Sequence, residues 1–348
     1  MRVAFVLPAP VRVPMGGAAV VYRHAQALAA RGHTVRVVAP RTLGRGGVAR
    51  SLAVAMRDRL QNVPGRPYYA APGVETVEPA RLQATDLTGC SVIATGIQTV
   101  PAVLNLAGRA GWWFVQGDET FVDPGARAAW RLGLRHIPCA SWLAHAIREE
   151  GGDVAGVVPN AVDTDVFDLD EPVSTRRPSV LALYHRHAVK GPETLLATLD
   201  RLRAARPDAT LTLFSARAPS HRIPQGVDVI VRPSPDQLRR LYNESAVFLH
   251  TSRREGWALT PMEAAVCGCA IVATDSLGPS EYLSAGESMR LHAVGDAEGL
   301  AASVLELLAN PAQREALASA GRCAAQRFRW ADSTDRLEAI LRAGGETS

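Results

Sequence analysis

The chain is 348 residues long, 47% hydrophobic and 21% charged, with a formal net charge of +4. This length and apolar content predict about two domains, each with its own core, and no apolar run is long enough to cross a bilayer. The positive excess is small and dispersed and comes with no nucleic-acid motif, so the expected partner is a small acidic ligand, with no nucleic acid and at most peripheral membrane contact. The five cysteines, Cys90, Cys139, Cys267, Cys269 and Cys323, are odd in number and scattered, which fits reduced thiols rather than a disulfide framework. Met1 to Leu7 runs into Pro8 and reads as a first strand rather than a secretory signal. The expected location is therefore cytoplasmic. No internal repeat is visible, and no motif specifies an oligomeric state.

In chain order, Arg2 to Leu7 predicts a strand, Ala18 to Ala30 a helix stopped by Gly32, and Thr34 to Ala39 a second strand. This βαβ unit opens a doubly wound half. Gly16 and Gly17 stand where the strand turns into the helix. Glycine there lets the backbone approach a phosphate or a sugar, and a tight turn needs it equally. The pattern is not Gly-x-Gly-x-x-Gly, so no nicotinamide-binding fingerprint is expected. Arg41 to Gly65 is basic and partly amphipathic, with Arg45, Arg50, Arg57, Arg59 and the adjoining Arg66. It reads as a solvated helix and loop, or as a contact for an anionic membrane or charged acceptor. Short strands are expected at Val74 to Val77, Ser91 to Thr95, Trp113 to Val115 and Ile137 to Ala140. Gln116-Gly117-Asp118-Glu119 follows the third, where polar residues are either site candidates or an ordinary turn. A helix over Ser141 to Glu150 comes next.

Asp168 to Pro178, charged and with two prolines, reads as a linker. Alternation then restarts. Strands are expected at Ser179 to Tyr184, Thr210 to Phe214, Val227 to Val231, Ala246 to Ser252 and Cys269 to Thr274. Helices are expected at about Glu193 to Ala205, Pro235 to Glu244, Asp296 to Leu308, Pro311 to Arg327 and Asp332 to Arg342. Another helix should open at Leu277 to Tyr282. Two chained doubly wound halves create a cleft between domains, where ligand sites collect.

The stretch Glu255 to Glu263, Glu-Gly-Trp-Ala-Leu-Thr-Pro-Met-Glu, carries the chemistry. It follows a buried strand and precedes a helix. Thr260 reads as the N-cap and Pro261 as a first-turn proline. Free backbone N–H groups at such a helix start favour an anion, and a carboxylate on either side can hold hydroxyls beside it. Thr260-Pro261-Met262-Glu263 is also a well-formed capping box, so Glu263 has a structural reading as well. Arg186 and Lys190 follow the first strand of the same half and should reach the same sheet edge. Together they can offset the charge of a leaving diphosphate. His185 and His187 lack a third ligand, and Asp163-Thr164-Asp165 sits outside any nucleotide loop, so no metal site is expected.

Glu255 to Glu263 with its continuation to Thr274 resembles family 4 of the retaining glycosyltransferases, the group 1 type with the GT-B fold. So do Arg186 with Lys190-Gly191, Val158 to Asp163, Pro279 to Tyr282, Phe328-Arg329-Trp330 and, more loosely, Met15-Gly16-Gly17 and Arg31 to Val35. The resemblance implies an α/β protein of two Rossmann-like doubly wound domains facing across a cleft. Residues 1–158 would bind the acceptor and 159–329 the nucleotide sugar, with a C-terminal helix at about 330–348 packing back on the first domain. It implies that Arg186 and Lys190 bind the diphosphate, Glu263 the ribose and Glu255 the transferred sugar. Backbone groups of Gly16, Gly17, Gly256, Trp257, Ala258, Leu259 and Thr260 would line the donor. The implied activity is metal-independent, cofactor-free transfer of a sugar from a nucleoside diphosphate to a hydroxyl acceptor, by a front-face route that retains anomeric configuration. Rival readings are a nucleotide-sugar epimerase or hydrolase of the same fold, and a catalytically weak sugar-binding subunit. Two departures stand out: Ala258 where glycine is common, and Gln116-Gly117-Asp118 where many relatives carry a histidine. Gln116 followed closely by acidic residues and Phe121 is similar to bacterial rhamnosyltransferases, and Gln116, Asp118 and Glu119 are the candidate acceptor contacts.

Overall fold

The computed structural model describes residues 1–43, 68–170 and 173–345. Contacts divide the chain into two compact units, Met1–Asn160 with Trp330–Ser348, and Ala161–Arg329. Among the described residues each unit is built on a six-stranded sheet whose strands run parallel.

In the first unit the strands are β1 (Arg2–Val6), β2 (Thr34–Val38), β3 (Val74–Val77), β4 (Ser91–Ala94), β5 (Trp112–Val115) and β6 (Arg135–Pro138). Their order is β3-β2-β1-β4-β5-β6. The central strands are apolar on both faces because helices cover both: Val3 to Val6 and Trp112 to Val115 are all buried. The helix Gly16–Ala30 starts two residues before the predicted Ala18, so Gly16 and Gly17 form its first turn rather than the turn ahead of it. Ile137 to Ala140 divides differently from expectation. The strand ends at Pro138, with Cys139 N–H still donating to Val115 O at 3.0 Å, and Ser141–Glu149 is helical. The helix Val100–Ala107 had no sequence counterpart. Arg45, Arg50, Arg57, Arg59 and Arg66 lie outside the described residues.

The last helix, Trp330–Gly345, belongs to the first unit. It packs on the helix Gly16–Ala30 through His24, whose ring meets Trp330 edge-on at 5.2 Å and Phe114 at 5.6 Å. A surface cluster closes the contact: Glu338 lies 2.9 Å from both Arg31 and His33.

The second unit contains β7 (Ser179–Leu183), β8 (Thr210–Ser215), β9 (Val227–Val231), β10 (Val247–His250), β11 (Ala270–Thr274) and β12 (Arg290–His292). The order β12-β11-β10-β7-β8-β9, read from its other edge, repeats that of the first sheet. Its core joins Val180, Ala182, Leu195, Leu199, Leu213, Val247, Leu249 and Val272. Asp168 to Pro178 is part of this unit rather than a linker. Buried Arg176 donates to the carbonyls of Ser245 (2.8 Å) and Cys267 (2.5 Å), fastening the segment beneath the sheet. Leu277 to Tyr282 forms only a short turn, Pro279–Glu281, because the chain then passes into β12. In both sheets the winding direction reverses beside the first strand, between β1 and β4 and between β7 and β10. Crevices outside the carboxyl ends of such strands are where open α/β sheets bind ligands.

Candidate active site

Two loops leave the reversal point of the second sheet. One follows β7 and carries Arg186 and Lys190; the other follows β10 and carries Glu255. Gly191 ends the first loop with φ +62°, and a Cβ there would collide with the Thr251 carbonyl oxygen. Only glycine fits both constraints. The loops are then zipped together. Arg253 N–H donates to Val189 O at 2.7 Å, and Thr251 Oγ1 lies 3.3 Å from the carbonyl oxygens of Lys190 and Gly191. Lys190 Nζ consequently sits 2.6 Å from Glu255 Oε1. Ser252 Oγ donates to the same oxygen at 2.6 Å, and Glu255 N–H donates to Ser276 O at 2.8 Å. Burial pushes the Glu255 carboxyl up, but Lys190, His250 and Ser252 together hold it below the usual carboxylate range. His250, buried beneath the pair, is pushed down to about 4 by desolvation and is neutral near pH 7. Arg186 is exposed at the rim of the β7 loop.

The helix Leu259–Val266 begins one residue before Thr260. Its N-cap is Ala258, at φ 68° and ψ 86°, and no side chain caps it. The capping-box reading therefore fails. Glu263 accepts instead from the Tyr242 hydroxyl at 2.9 Å, and burial raises its carboxyl to about 7 despite that bond. An uncapped helix start favours an anion. Ala258 holds a left-handed conformation that suits glycine better, at a cost of about 1 kcal/mol. It is fixed there by the Tyr282 hydroxyl, which donates to its carbonyl at 2.6 Å. The Trp257 indole is 3% exposed and packs on Tyr282 and Phe328 at 5.4 and 5.1 Å. Its contribution to a ligand site is confined to its backbone.

The first unit places its candidates at the equivalent edge of its own sheet. Gln116 Nε2 donates to Gly17 O at 3.1 Å, locking the loop after β5 onto the helix start. The Asp118 carboxylate takes both Arg127 Nε (3.1 Å) and Nη2 (2.8 Å) and also Thr120 N–H (2.9 Å). Its side chain is 1% exposed, so it is engaged in shaping its own loop. Glu119, at φ 49°, accepts from Ile97 N–H at 2.8 Å. Burial raises its carboxyl to about 7 against that bond.

The family model described as glycosyl transferases group 1 matches residues 170–323. That stretch, under half of the chain, is similar to the group 1 glycosyltransferases. Among curated relatives, the D-inositol 3-phosphate glycosyltransferase of Segniliparus rotundus is 29% identical over 208 residues, 54% of this chain and 46% of that protein. The lipopolysaccharide core biosynthesis mannosyltransferase LpcC of Rhizobium leguminosarum bv. viciae is 34% identical over 71 residues, 20% of each chain. The matched region thus spans less than half the length of either relative. Among solved structures, the sucrose-phosphate synthase of Thermosynechococcus elongatus superposes with TM-score 0.79 over 100% of both chains at 17% identity. HepE of Anabaena, in complex with UDP and glucose, gives 0.73 over 99% of this chain and 100% of that one, at 14%. The fold is GT-B, as the resemblance implied.

Within the second unit, sequence reasoning missed three groups that shape the candidate site. Ser252 lay hidden at the end of an apolar strand run. Tyr242 occupies what reads as a core position of the helix Pro235–Glu244. Gly278 stands in the turn, where a Cβ would come within 2.8 Å of Glu255 Cβ and 2.7 Å of the Trp257 backbone. A Pro-preceding glycine facing the carboxylate loop was the available signal for the last. Cys267 and Cys269 are buried, as packing residues are, and burial pushes the Cys269 thiol up to about 12. Two concavities lie elsewhere. One of about 310 Å³ is lined by Arg2, Ser91, Trp112 and Arg135, the first residues of their strands, and so opens at the amino edge of the first sheet. The other, of about 640 Å³, is lined by Leu169, Val173, Gly268 and Ala318.

Proposed function

We propose that the protein is a retaining glycosyltransferase that moves a sugar from a nucleoside diphosphate to a hydroxyl acceptor without a metal. The observation that carries this reading is the Lys190–Glu255 pair at 2.6 Å, held at the reversal point of the sheet beside the uncapped start of the helix Leu259–Val266. Cation, carboxylate and helix N-terminus together match a ligand with a diphosphate and hydroxyls. Lys190 and Arg186 meet the diphosphate, the helix start adds backbone N–H groups, Glu255 takes hydroxyls of the transferred sugar, and Glu263 takes those of the ribose. The bond from the anomeric carbon to the phosphate oxygen breaks, and a bond to the acceptor oxygen forms on the same face. The acceptor proton passes to the departing diphosphate. Fixed positive charge at that leaving group is the main catalytic contribution of these residues.

Lys190→Ala is expected to lower transfer by about a hundredfold or more, the usual worth of one preorganised charge, with little change in the thermal midpoint. The measurement is donor turnover with acceptor, read together with proton NMR of the new anomeric linkage. Near-normal turnover in the variant would remove the site assignment, and an inverted anomer would remove the retaining mechanism.

A further inference from the structure

Eight large apolar residues are conspicuously exposed among those described, and four of them, Met15, Tyr68, Phe121 and Val122, belong to segments that converge at one edge of the first unit. Met15 caps the helix after β1. Phe121 and Val122 lie on the loop after β5, which Gln116 ties to Gly17 by the 3.1 Å bond described above. Tyr68 joins the same group through Tyr69, whose ring is 4.9 Å away and whose hydroxyl binds the backbone N–H of Met15 at 3.0 Å. This is the carboxyl edge of the sheet, at its reversal between β1 and β4, where a polar ligand alone would call for polar loops. Apolar residues scattered singly on a surface need no explanation, whereas a group of them beside polar site residues does. Two polar residues on the loop after β5 are fixed beside them. Gln116 keeps its carbonyl oxygen free of the Gly17 contact, and Glu119, backbone-strained at φ 49°, is held by Ile97 N–H. Strain of this kind persists where the surrounding structure enforces it and is concentrated at functional sites.

We infer that the acceptor is amphiphilic, with a hydroxyl-bearing end beside Gln116 and Glu119 and an apolar body that lies on Met15, Tyr68, Phe121 and Val122. This rests on the transferase reading. It names the class of substrate that reading leaves open: an alcohol on an aromatic or alkyl body rather than a bare sugar. A few polar groups that orient and a larger apolar surface that binds is the usual division of labour in small-molecule sites.

The test uses the full chain and the nucleotide sugar on whichever carrier it binds. Methyl glycosides, phenyl glycosides in solution, and the same head group on a long alkyl chain in phosphatidylcholine vesicles are compared as acceptors. The apolar acceptors should exceed the methyl glycosides in kcat/KM by about tenfold or more, the effect of burying some tens of Å² of apolar surface. Preference for the phenyl series marks a soluble aromatic acceptor; preference for the vesicle-borne series marks a lipid-borne one. The double variant Phe121→Ser, Val122→Ser should erase the preference through KM, with nucleotide affinity and donor hydrolysis unchanged. Equal use of methyl glycosides, or a preference that survives the double variant, overturns the inference. Failure to bind any nucleoside diphosphate overturns the transferase reading and this inference with it.

Discussion

Glu263 is the residue at which structure and chemistry pull in opposite directions. Its carboxyl is raised to about 7 by burial, against the bond from Tyr242, so the free protein holds it partly protonated near neutrality. Ribose hydroxyls donate hydrogen bonds, and these favour the ionised form. Nucleotide affinity should therefore fall as pH drops from 8 to 6. Stability should move the other way. A raised folded pKa means that the folded chain binds a proton the unfolded chain does not between about 4.5 and 7, so that stability is present at the acid end and lost as pH rises through 7. Glu119, raised to about the same value, adds to it. Buried His24 and His250, held down at about 3 and about 4, oppose this by losing stability as pH falls through 6.5, so the Glu263 contribution is read as a difference between proteins. The calorimetric midpoint of Glu263→Gln relative to the wild type should rise between pH 5.5 and pH 8, and the variant should bind nucleotide more weakly at pH 8. A variant with unchanged affinity and an unchanged slope of midpoint against pH would return Glu263 to a purely structural role. The sequence placed Glu263 at the site but suggested the wrong alternative partner, because a capping box is a local pattern and Tyr242 arrives from another helix. Ala258 was legible as an unusual residue in this motif, and its left-handed backbone explains why glycine suits that position.

At the scale of elements, the site is two loops joined by one glycine. Gly191 combines a left-handed backbone with contact against Thr251, and the zipper between Val189 and Arg253 depends on that approach. Gly191→Ala should destabilise the second unit by roughly 2–4 kcal/mol, the range for an added clash together with backbone strain. It should also lower transfer beyond what the lost stability explains, since Lys190 would leave Glu255. A fully folded, fully active variant would show that the two loops are not held as described. Most elements were legible from period and punctuation. Val74–Val77, Val227–Val231 and Pro235–Glu244 coincide with their expected limits. The errors fell where local signals are weak. The helix Val100–Ala107 carries Pro101 in its first turn and no polar cap, and β12 is three residues long. Asp168 to Pro178 looked like a linker because prolines and charges usually mark one; Arg176 reaching buried carbonyls is a tertiary fact.

At the scale of the molecule, the chain builds one strand order twice without a repeated sequence, since the order needs only alternating apolar strands and covering helices. The last helix returns to the first unit, and Glu338 is the centre of its polar attachment. Hydrogen bonds from Arg31, then Arg342 and His33, hold its carboxyl down at about 2. A lowered folded pKa gives stability that is present above about 4.5 and lost as pH falls toward 2. Glu338→Gln should lower the thermal midpoint by a few degrees at pH 7 and make no difference at pH 2. An equal effect at both pH values would mean that the side chain acts through packing rather than charge.

The central claim is that the loops after β7 and β10 bind a nucleoside diphosphate, and titration calorimetry tests it directly. UDP, dTDP, GDP and ADP are each titrated into the wild-type chain and into Lys190→Ala, with and without a chelator. One of them should bind the wild type with an affinity indifferent to the chelator, and Lys190→Ala should weaken that affinity by about tenfold or more, as loss of a charge on phosphate does. Binding that needs a metal, binding unaffected by Lys190→Ala, or no binding by any of the four would contradict it.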